Sequence, residues 1–133
     1  RGVDTTADTS QAVDAAIALA KQHACVVAMT GESDWVTDGT LHYRIDGGHP
    51  LMPRVTTLGC GLSALVAAFV AANREAPLRA TVAAVACFAV AGKRAGEAAT
   101  GPGSFQVAFL DALYQLTPDD LTMYAQLEAN HAV

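Results

Sequence analysis

The sequence predicts an α/β fold, and three observations carry that prediction. A short, continuous apolar run at residues 25–29 follows a helical pattern, which is typical of a fully buried strand. Two strand-like segments then flank Asp38-Gly39, a dipeptide that favours β-hairpin turns. From residue 61 onward, helical patterns dominate the chain. Helix, strand, hairpin, strand and a run of helices together indicate the α/β class.

The first half of the chain contains one helix and three or four strands. Apolar residues recur at helical spacing from Val13 to Ala20 and predict a helix that ends near His23, with N-cap candidates at positions 8–10. The hairpin strands are predicted at residues 34–37 and 41–45. Glycines 47 and 48 end the hairpin, and a proline-containing loop leads to a further strand at residues 55–56.

Four helices follow. The second of them is apolar nearly all round between Arg79 and Lys93, so it must be covered on most sides. Thr117 and Pro118, followed by two aspartates, are typical of a helix start, with a cap, a proline in the first position and acids in the first turn. The predicted helices span residues 61–73, 78–99, 105–116 and 118–130.

Composition limits the possible functions. The 133 residues are 52% hydrophobic and 16% charged, and the formal net charge is −5 with no basic run. This charge pattern argues against nucleic-acid binding and against a polybasic membrane surface, and the longest apolar run, residues 80–92, is too short to span a bilayer. Cys25 and Cys87 lie in apolar runs, which predicts buried, reduced thiols in a cytoplasmic protein.

The segment from residue 54 to residue 69, RVTTLGCGLSALVAAF, carries the strongest chemical signal. A tight turn at residues 57–59 leads into a helix of small residues, so several backbone N–H groups at this point lack helical partners. With the positive end of the helix macrodipole behind them, such groups bind anions, phosphate above all. Cys60 lies at the mouth of this predicted site, where the dipole favours its thiolate form.

This segment resembles the anion-hole loop of the hydroxyethylthiazole kinases, a family of the ribokinase superfamily. The resemblance extends along most of the chain. It is carried by Arg54, Val55, Gly59, Cys60, Leu62, Ser63 and Ala64, and by the segments RGVD (1–4), TGE (30–32), VTDG (36–39), PLM (50–52) and GPGSF…FLDALYQLT (101–117). It implies that residues 1–133 form the C-terminal half of a three-layer αβα ribokinase-like sandwich whose N-terminal half is absent from this chain.

The resemblance also implies an activity, the ATP-dependent phosphorylation of the hydroxyl of 4-methyl-5-(2-hydroxyethyl)thiazole in thiamine salvage and biosynthesis. Cys60 corresponds to the catalytic residue beside the alcohol, Thr30 to a nucleotide contact, and Thr56 and Gly59 to the phosphate cradle. Thr57 takes the position of a glycine that lies against the substrate. The family further implies Mg²⁺ with its acidic residues in the absent half, so that no metal ligand is assigned here, and a homotrimer with active sites at subunit boundaries.

Two departures from the family pattern keep alternatives open. Thr57 and Leu58 stand where the pattern has glycine and threonine, and a β-branched residue such as Thr57 tolerates a positive φ badly. The alternatives are another ribokinase-like small-molecule kinase and a degenerate, non-catalytic nucleotide-binding subunit. Residues 1–133 alone are expected to be inactive and to aggregate. The residues at 101–104 are interpreted as a helix–helix turn, and His49 and Met52 as ordinary loop residues.

Overall fold

The computed structural model describes residues 9–131, so the RGVD segment at 1–4 and the candidate cap at position 8 lie outside the described part. Within it, helices and strands alternate at first and helices then dominate, which confirms the α/β prediction. In chain order the elements are α1 (Thr9–His23), β1 (Val27–Met29), β2 (Asp34–Thr37), β3 (Leu41–Asp46), a 3₁₀ helix (Met52–Arg54), α2 (Leu58–Ala72), α3 (Pro77–Ala98), α4 (Pro102–Gln115), α5 (Pro118–Tyr124) and β4 (Gln126–His131).

The four strands form one antiparallel sheet in the order β1-β2-β3-β4. The predicted hairpin is confirmed, since Val36 pairs with Tyr43 and the turn passes through Gly39 at φ 91°. Because β1 and β3 are both antiparallel to β2, they run in the same direction. Their C-terminal ends therefore lie at the same edge of the sheet.

Helix α3 is the centre of the domain. It contacts β2 and β3 as well as α2, α4 and α5, and thirteen of its residues are buried, as its apolar composition predicts. Phe105 and Phe109 of α4 complete the core, with the Phe109 ring 4.7 Å from that of Phe88 in an edge-to-face arrangement. No helix found between residues 9 and 131, α3 included, is long and apolar enough to cross a membrane.

The strand predicted at residues 55–56 does not form, and the 3₁₀ helix Met52–Arg54 followed by a bend takes its place. Pro53 has no N–H group to donate to a sheet. The Val55 N–H donates to the Met52 carbonyl at 3.2 Å, so it is used within the turn. Helix α2 consequently begins at Leu58, three residues before the predicted start.

The predicted last helix is also wrong beyond Tyr124. Helix α5 ends there, Ala125 is extended, and residues 126–131 form β4, which pairs with β3 through Leu127 and Ile45. The sequence from Gln126 to Asn130 alternates polar and apolar residues, the period-two pattern of a strand. Pairing with β4 also gives the outer edge of β3 hydrogen-bond partners that a continued helix would not supply.

The prediction of a fully buried strand at residues 25–29 needs a similar correction. Strand β1 starts only at Val27 and is half-buried at its two ends, with Ala28 exposed between them. Cys25 is exposed, not buried, because the chain turns there through Ala24 at φ 49°. Cys87 is buried as predicted, and burial raises the pKa of its thiol.

The loop between β3 and α2 lies directly on the backbone of α3. The Gly48 N–H donates to the carbonyl of Ala89 at 3.1 Å. Further along the helix, a Cβ at Gly92 would lie 2.5 Å from the Met52 sulfur, and a Cβ at Gly96 would overlap the His49 ring. The two glycines of α3 are therefore required by packing, since a methyl group at either position would push the loop away.

Replacing Gly96 with alanine is expected to destabilise the protein by about 1–3 kcal/mol, the usual cost of forcing a methyl group into a packed site. The matched control is Gly103→Ala in the first turn of α4, where an added Cβ meets no atom within 4 Å of the described chain. That variant should be neutral or slightly more stable, because alanine favours helices. Urea unfolding of both variants tests the difference, and equal free energies of unfolding would contradict it.

Candidate active site

At the N-terminus of α2, a row of backbone N–H groups has no hydrogen-bond partner among residues 9–131. The Gly61 N–H closes the first helical hydrogen bond, to the Thr57 carbonyl at 2.9 Å. None of the five amides from residue 56 to residue 60 donates a hydrogen bond to the part of the chain that the structure describes. We call these five amides the amide cradle. Thr57 makes no side-chain cap either, so nothing within residues 9–131 competes with a ligand for them.

The amide cradle faces solvent. Thr56, Thr57, Gly59 and Cys60 are all exposed. A Cβ at Gly59 would meet no described atom within 4 Å, so packing alone does not explain that glycine. The cradle is anchored on either side by the buried side chains of Val55 and Leu62. This arrangement leaves room for an anion at the helix N-terminus.

Cys60 is a free, exposed thiol in the first turn of α2. The sequence places it in a loop, but the structure makes both Cys60 and Gly59 helical because α2 starts earlier than predicted. Cys60 thus lies in the first turn, the part of the helix in which the dipole chiefly acts. A thiol in this setting can act as a nucleophile or a base.

Thr57 has the positive φ that the sequence predicts to be unfavourable. Its φ is 79° and its ψ is −7°, in the left-handed region where glycine is preferred. Leu58, the second departure from the family pattern, is half-buried against the hydrophobic core. The Leu58 side chain therefore packs inward, whereas the Thr57 side chain stays exposed beside the cradle.

Thr30 is exposed and directly follows β1, at the sheet edge where β3 also ends. The structure thus places Thr30 at the end of the sheet from which the loop to the amide cradle departs. The turn after Thr30 is fixed by Asp34, which accepts the Gly31 N–H at 3.1 Å. Glu32, two residues after Thr30, is exposed to solvent.

A polar network that was not identified from the sequence lies at the same end of the sheet. The Ser33 hydroxyl donates to Asp46 at 2.6 Å, and Arg44 forms an ion pair with Asp46 at 3.1 Å. Burial raises the pKa of Asp34; the Gly31 hydrogen bond opposes that shift, and the charge of Asp46 adds to it. The signal was present in the hairpin register, because pairing Asp34 with Ile45 brings Ser33 next to Asp46.

A cavity of about 150 Å³ lies away from these residues, between α3 and α5. Arg94 and Asp120 form an ion pair across it at 3.2 Å. Hydrogen bonds from the Thr117 amide and hydroxyl lower the pKa of Asp120, and Arg94 lowers it further. These contacts fix the start of α5, so we assign this cavity a structural role. It is lined by Val90, Lys93, Arg94, Glu97, Asp120 and Tyr124.

The described residues do not by themselves build a magnesium site. Among residues 9–131 there is no group of three or more His, Cys, Asp or Glu side chains that could hold a metal ion. The hydrogen-bonded carboxylate of Asp46 is already shared by Ser33 and Arg44. A metal ion held by three or more such side chains would therefore need ligands from outside the described part of the chain.

Comparison with known proteins identifies the family. A sequence model of the hydroxyethylthiazole kinase family matches residues 1–119. The chain belongs to the hydroxyethylthiazole kinase family. The resemblance stated from its motifs is thereby confirmed, and the amide cradle lies within the matched region.

Individual members of the hydroxyethylthiazole kinase family are similar over most of the chain. The hydroxyethylthiazole kinase of Rhizobium rhizogenes is 55% identical over 87% of this chain, and that of Desulfotalea psychrophila is 46% identical over 99% of it. The solved structure of hydroxyethylthiazole kinase protein from Pyrococcus horikoshii is 36% identical and superposes with a TM-score of 0.86 over 91% of this chain. The chain spans 43%, 48% and 47% of these three proteins, about half of each.

Replacing Thr57 with glycine is expected to stabilise the protein by roughly 0.5–1 kcal/mol. Relief of the left-handed conformation gains about 1–2 kcal/mol, and the greater freedom of glycine in the unfolded chain offsets about half of that. The control is Thr56→Gly, because Thr56 has no positive φ; it should cost up to about 1 kcal/mol. Denaturant unfolding measures both, and a destabilised Thr57→Gly variant would refute the interpretation of strain.

Asp34→Asn is expected to stabilise the protein at neutral pH, because asparagine keeps an acceptor for Gly31 without a buried charge. Because the pKa of Asp34 is higher in the folded protein than in the unfolded chain, its charged carboxylate lowers the free energy of unfolding at pH values above the folded pKa. The cost disappears as the pH falls toward the ordinary value of about 3.9. The additional stability of Asp34→Asn over the wild type should therefore disappear as the pH falls from the raised pKa of Asp34 to its ordinary value.

Asp38→Asn provides the control of opposite sign. The Leu41 amide and, after it, the Thr40 amide donate to Asp38 and lower its pKa, although slight burial opposes them. The Asp38 carboxylate therefore stabilises the fold above its ordinary pKa, and the benefit is lost as the pH falls through the lowered value. At neutral pH the free energy of unfolding of Asp34→Asn should lie above that of the wild type, and that of Asp38→Asn should lie below it. As the pH falls, both should converge with the wild-type value. Parallel curves would contradict both assignments.

Proposed function

We propose that the protein containing this chain phosphorylates the hydroxyl of 4-methyl-5-(2-hydroxyethyl)thiazole with ATP, in thiamine salvage and biosynthesis. The observation that carries this proposal is the amide cradle, five backbone donors at the start of α2 that have no partner within residues 9–131, with the free, exposed thiol of Cys60 in the same turn. Phosphoryl transfer requires an anion site beside a proton acceptor, and these two groups supply both. The matching relatives are named hydroxyethylthiazole kinases, which supports the substrate.

The reaction assigns a separate part to each group. The amide cradle holds the γ-phosphoryl group and donates to its oxygens, where negative charge is spread in the transition state. When deprotonated, the Cys60 sulfur accepts the proton of the substrate alcohol, the alcohol oxygen forms a bond to the γ-phosphorus, and the bond from that phosphorus to ADP breaks. Thr56 and Gly59 contribute their amides, and Thr57 contacts the thiazole substrate at the mouth of the cradle.

Thr30 is proposed to contact ATP. It lies just beyond the C-terminal end of β1, at the end of the sheet where β3 also ends and the loop to the amide cradle departs. The hydrogen-bonded turn that follows it, with Asp34 on the Gly31 amide, fixes its position. ATP would then extend from the sheet edge to the amide cradle.

Several further features come to this chain only from its family. We propose that residues 1–133 form the C-terminal half of one ribokinase-like domain, and that Mg²⁺ neutralises the ATP phosphates with ligands from the other half. We further propose a cytoplasmic homotrimer with active sites at subunit boundaries. Residues 1–133 expressed alone should be inactive. No observation favours a different ribokinase-like kinase or a non-catalytic subunit.

The Cys60→Ala variant of the full-length protein is expected to lose about 10²–10⁴-fold in kcat, the usual contribution of a positioned acid or base. Cys25→Ala is the matched control, because Cys25 is also an exposed free thiol but lies after α1. It should retain wild-type activity. Cys60→Asp should retain more activity than Cys60→Ala, because a carboxylate can accept the same proton.

A coupled assay for ADP release, with the thiazole alcohol, ATP and Mg²⁺, measures all three variants. Circular dichroism should show that each variant is folded. Absence of turnover by folded wild-type protein would count against the proposed function. Full activity of Cys60→Ala would remove Cys60 from the mechanism but leave the family assignment intact.

A further inference from the structure

We infer that His49 is a positioning residue for the amide cradle, an inference that rests on the proposed function. His49 does not reach the transferred group in this assignment; it fixes the loop from which the cradle emerges. We call the contacts of residues 48, 49 and 52 with α3 the loop clamp. Its effect is to hold the peptide groups at residues 56–60 in one arrangement.

The His49 ring is held by α3 and α4. It lies directly on Gly96, where even a single Cβ would overlap it, and it stacks on Phe105 with ring centroids 5.9 Å apart and an interplanar angle of 21°. Phe105 is fully buried. A fixed surface therefore determines where the ring lies, and the ring has room there because position 96 is a glycine.

His49 also organises its own loop. Its Nδ1 accepts the Leu51 N–H at 3.2 Å, and its carbonyl accepts the Met52 N–H at 2.9 Å. Because Nδ1 is an acceptor, the neutral ring carries its proton on Nε2. These two bonds start the turn that continues as the 3₁₀ helix Met52–Arg54.

The loop clamp reaches the amide cradle over a short length of chain. The Gly48 amide is bonded to Ala89, the His49 ring lies on Gly96 and Met52 lies on Gly92, so the loop is attached to α3 at three points. After Met52 the 3₁₀ helix and buried Val55 lead directly to Thr56, the first residue of the cradle. A displacement of the loop would therefore move the cradle amides.

This arrangement predicts a specific kinetic signature. Positioned donors stabilise the transition state more than the bound substrate, and a misplacement of about 1 Å can cost 10²-fold in rate. Loss of the loop clamp should therefore lower kcat more than it raises the KM for ATP. A residue needed only for folding would lower the amount of active protein and leave both constants of the folded fraction unchanged.

The test uses the full-length protein with His49→Ala, His49→Asn and His49→Phe. His49→Ala should lower kcat at least about tenfold, with less than a threefold change in the KM for ATP. His49→Asn should recover part of this loss, because its Oδ1 can accept the Leu51 amide. His49→Phe should recover another part through the stack on Phe105. His23→Ala, at the exposed end of α1, is the control and should match the wild type.

A second measurement does not depend on turnover. Alkylation of Cys60 by iodoacetamide, followed by mass spectrometry, reports the cradle directly, and inorganic phosphate is the probe. Phosphate should slow alkylation of Cys60, but not of Cys25, in the wild type. About tenfold more phosphate should be needed in His49→Ala.

The outcomes distinguish the two proposals. Wild-type kcat and wild-type phosphate protection in folded His49→Ala would overturn the positioning role while the proposed function stands. If folded wild-type protein shows no turnover, the proposed function fails. The phosphate measurement by itself then tests whether His49 positions the amide cradle. Should His49→Ala not fold, His49→Asn and His49→Phe carry the same test, and wild-type behaviour in both would overturn the inference.

Discussion

The position of the loop between β3 and α2 depends on two residues of α3 that have no side chain. Gly92 and Gly96 let the loop after β3 lie against the helix backbone, close enough for the Gly48 amide to bond to the Ala89 carbonyl. Helix α3 can carry this contact because its other faces are fixed by the sheet and by α2 and α4. Glycine within a helix costs about 1 kcal/mol relative to alanine. This cost arises at both glycines, and both are needed for the loop to pack against α3.

The amide cradle is the consequence of that packing. A helix N-terminus with neither a side-chain cap nor hydrogen-bonded first-turn amides loses stability, typically about 1 kcal/mol for the cap alone. Thr57 adds the cost of a left-handed backbone. Such costs persist only where the surroundings determine the conformation, and the clamped loop on one side and buried Leu62 on the other do so. Local strain and unpaired donors are thus found together at the site proposed to bind phosphate.

Short-range signals explain which parts of the fold could be predicted from the sequence. The Asp38-Gly39 hairpin and the covered helix α3 follow from a turn dipeptide and from apolar composition. The second half of the last predicted helix was wrong because β3 offered an open edge, and pairing outweighs propensity in such a segment. Cys60 and the amide cradle could be predicted because helix-terminus chemistry is local. The contact of His49 with Gly96 could not, since it joins distant residues through a side chain that glycine lacks.

The two departures from the family pattern differ in their physical meaning. The cradle consists of main-chain N–H groups, so replacing a glycine with Thr57 leaves the donors in place and adds strain beside them. At position 58 the departure replaces the hydroxyl of threonine with the apolar side chain of Leu58. That side chain packs against the hydrophobic core and contributes apolar contact there. A phosphate held by backbone amides is insensitive to that exchange. The altered residues therefore change the rim of the site and the stability of the turn, while the backbone amides proposed to bind the anion are retained.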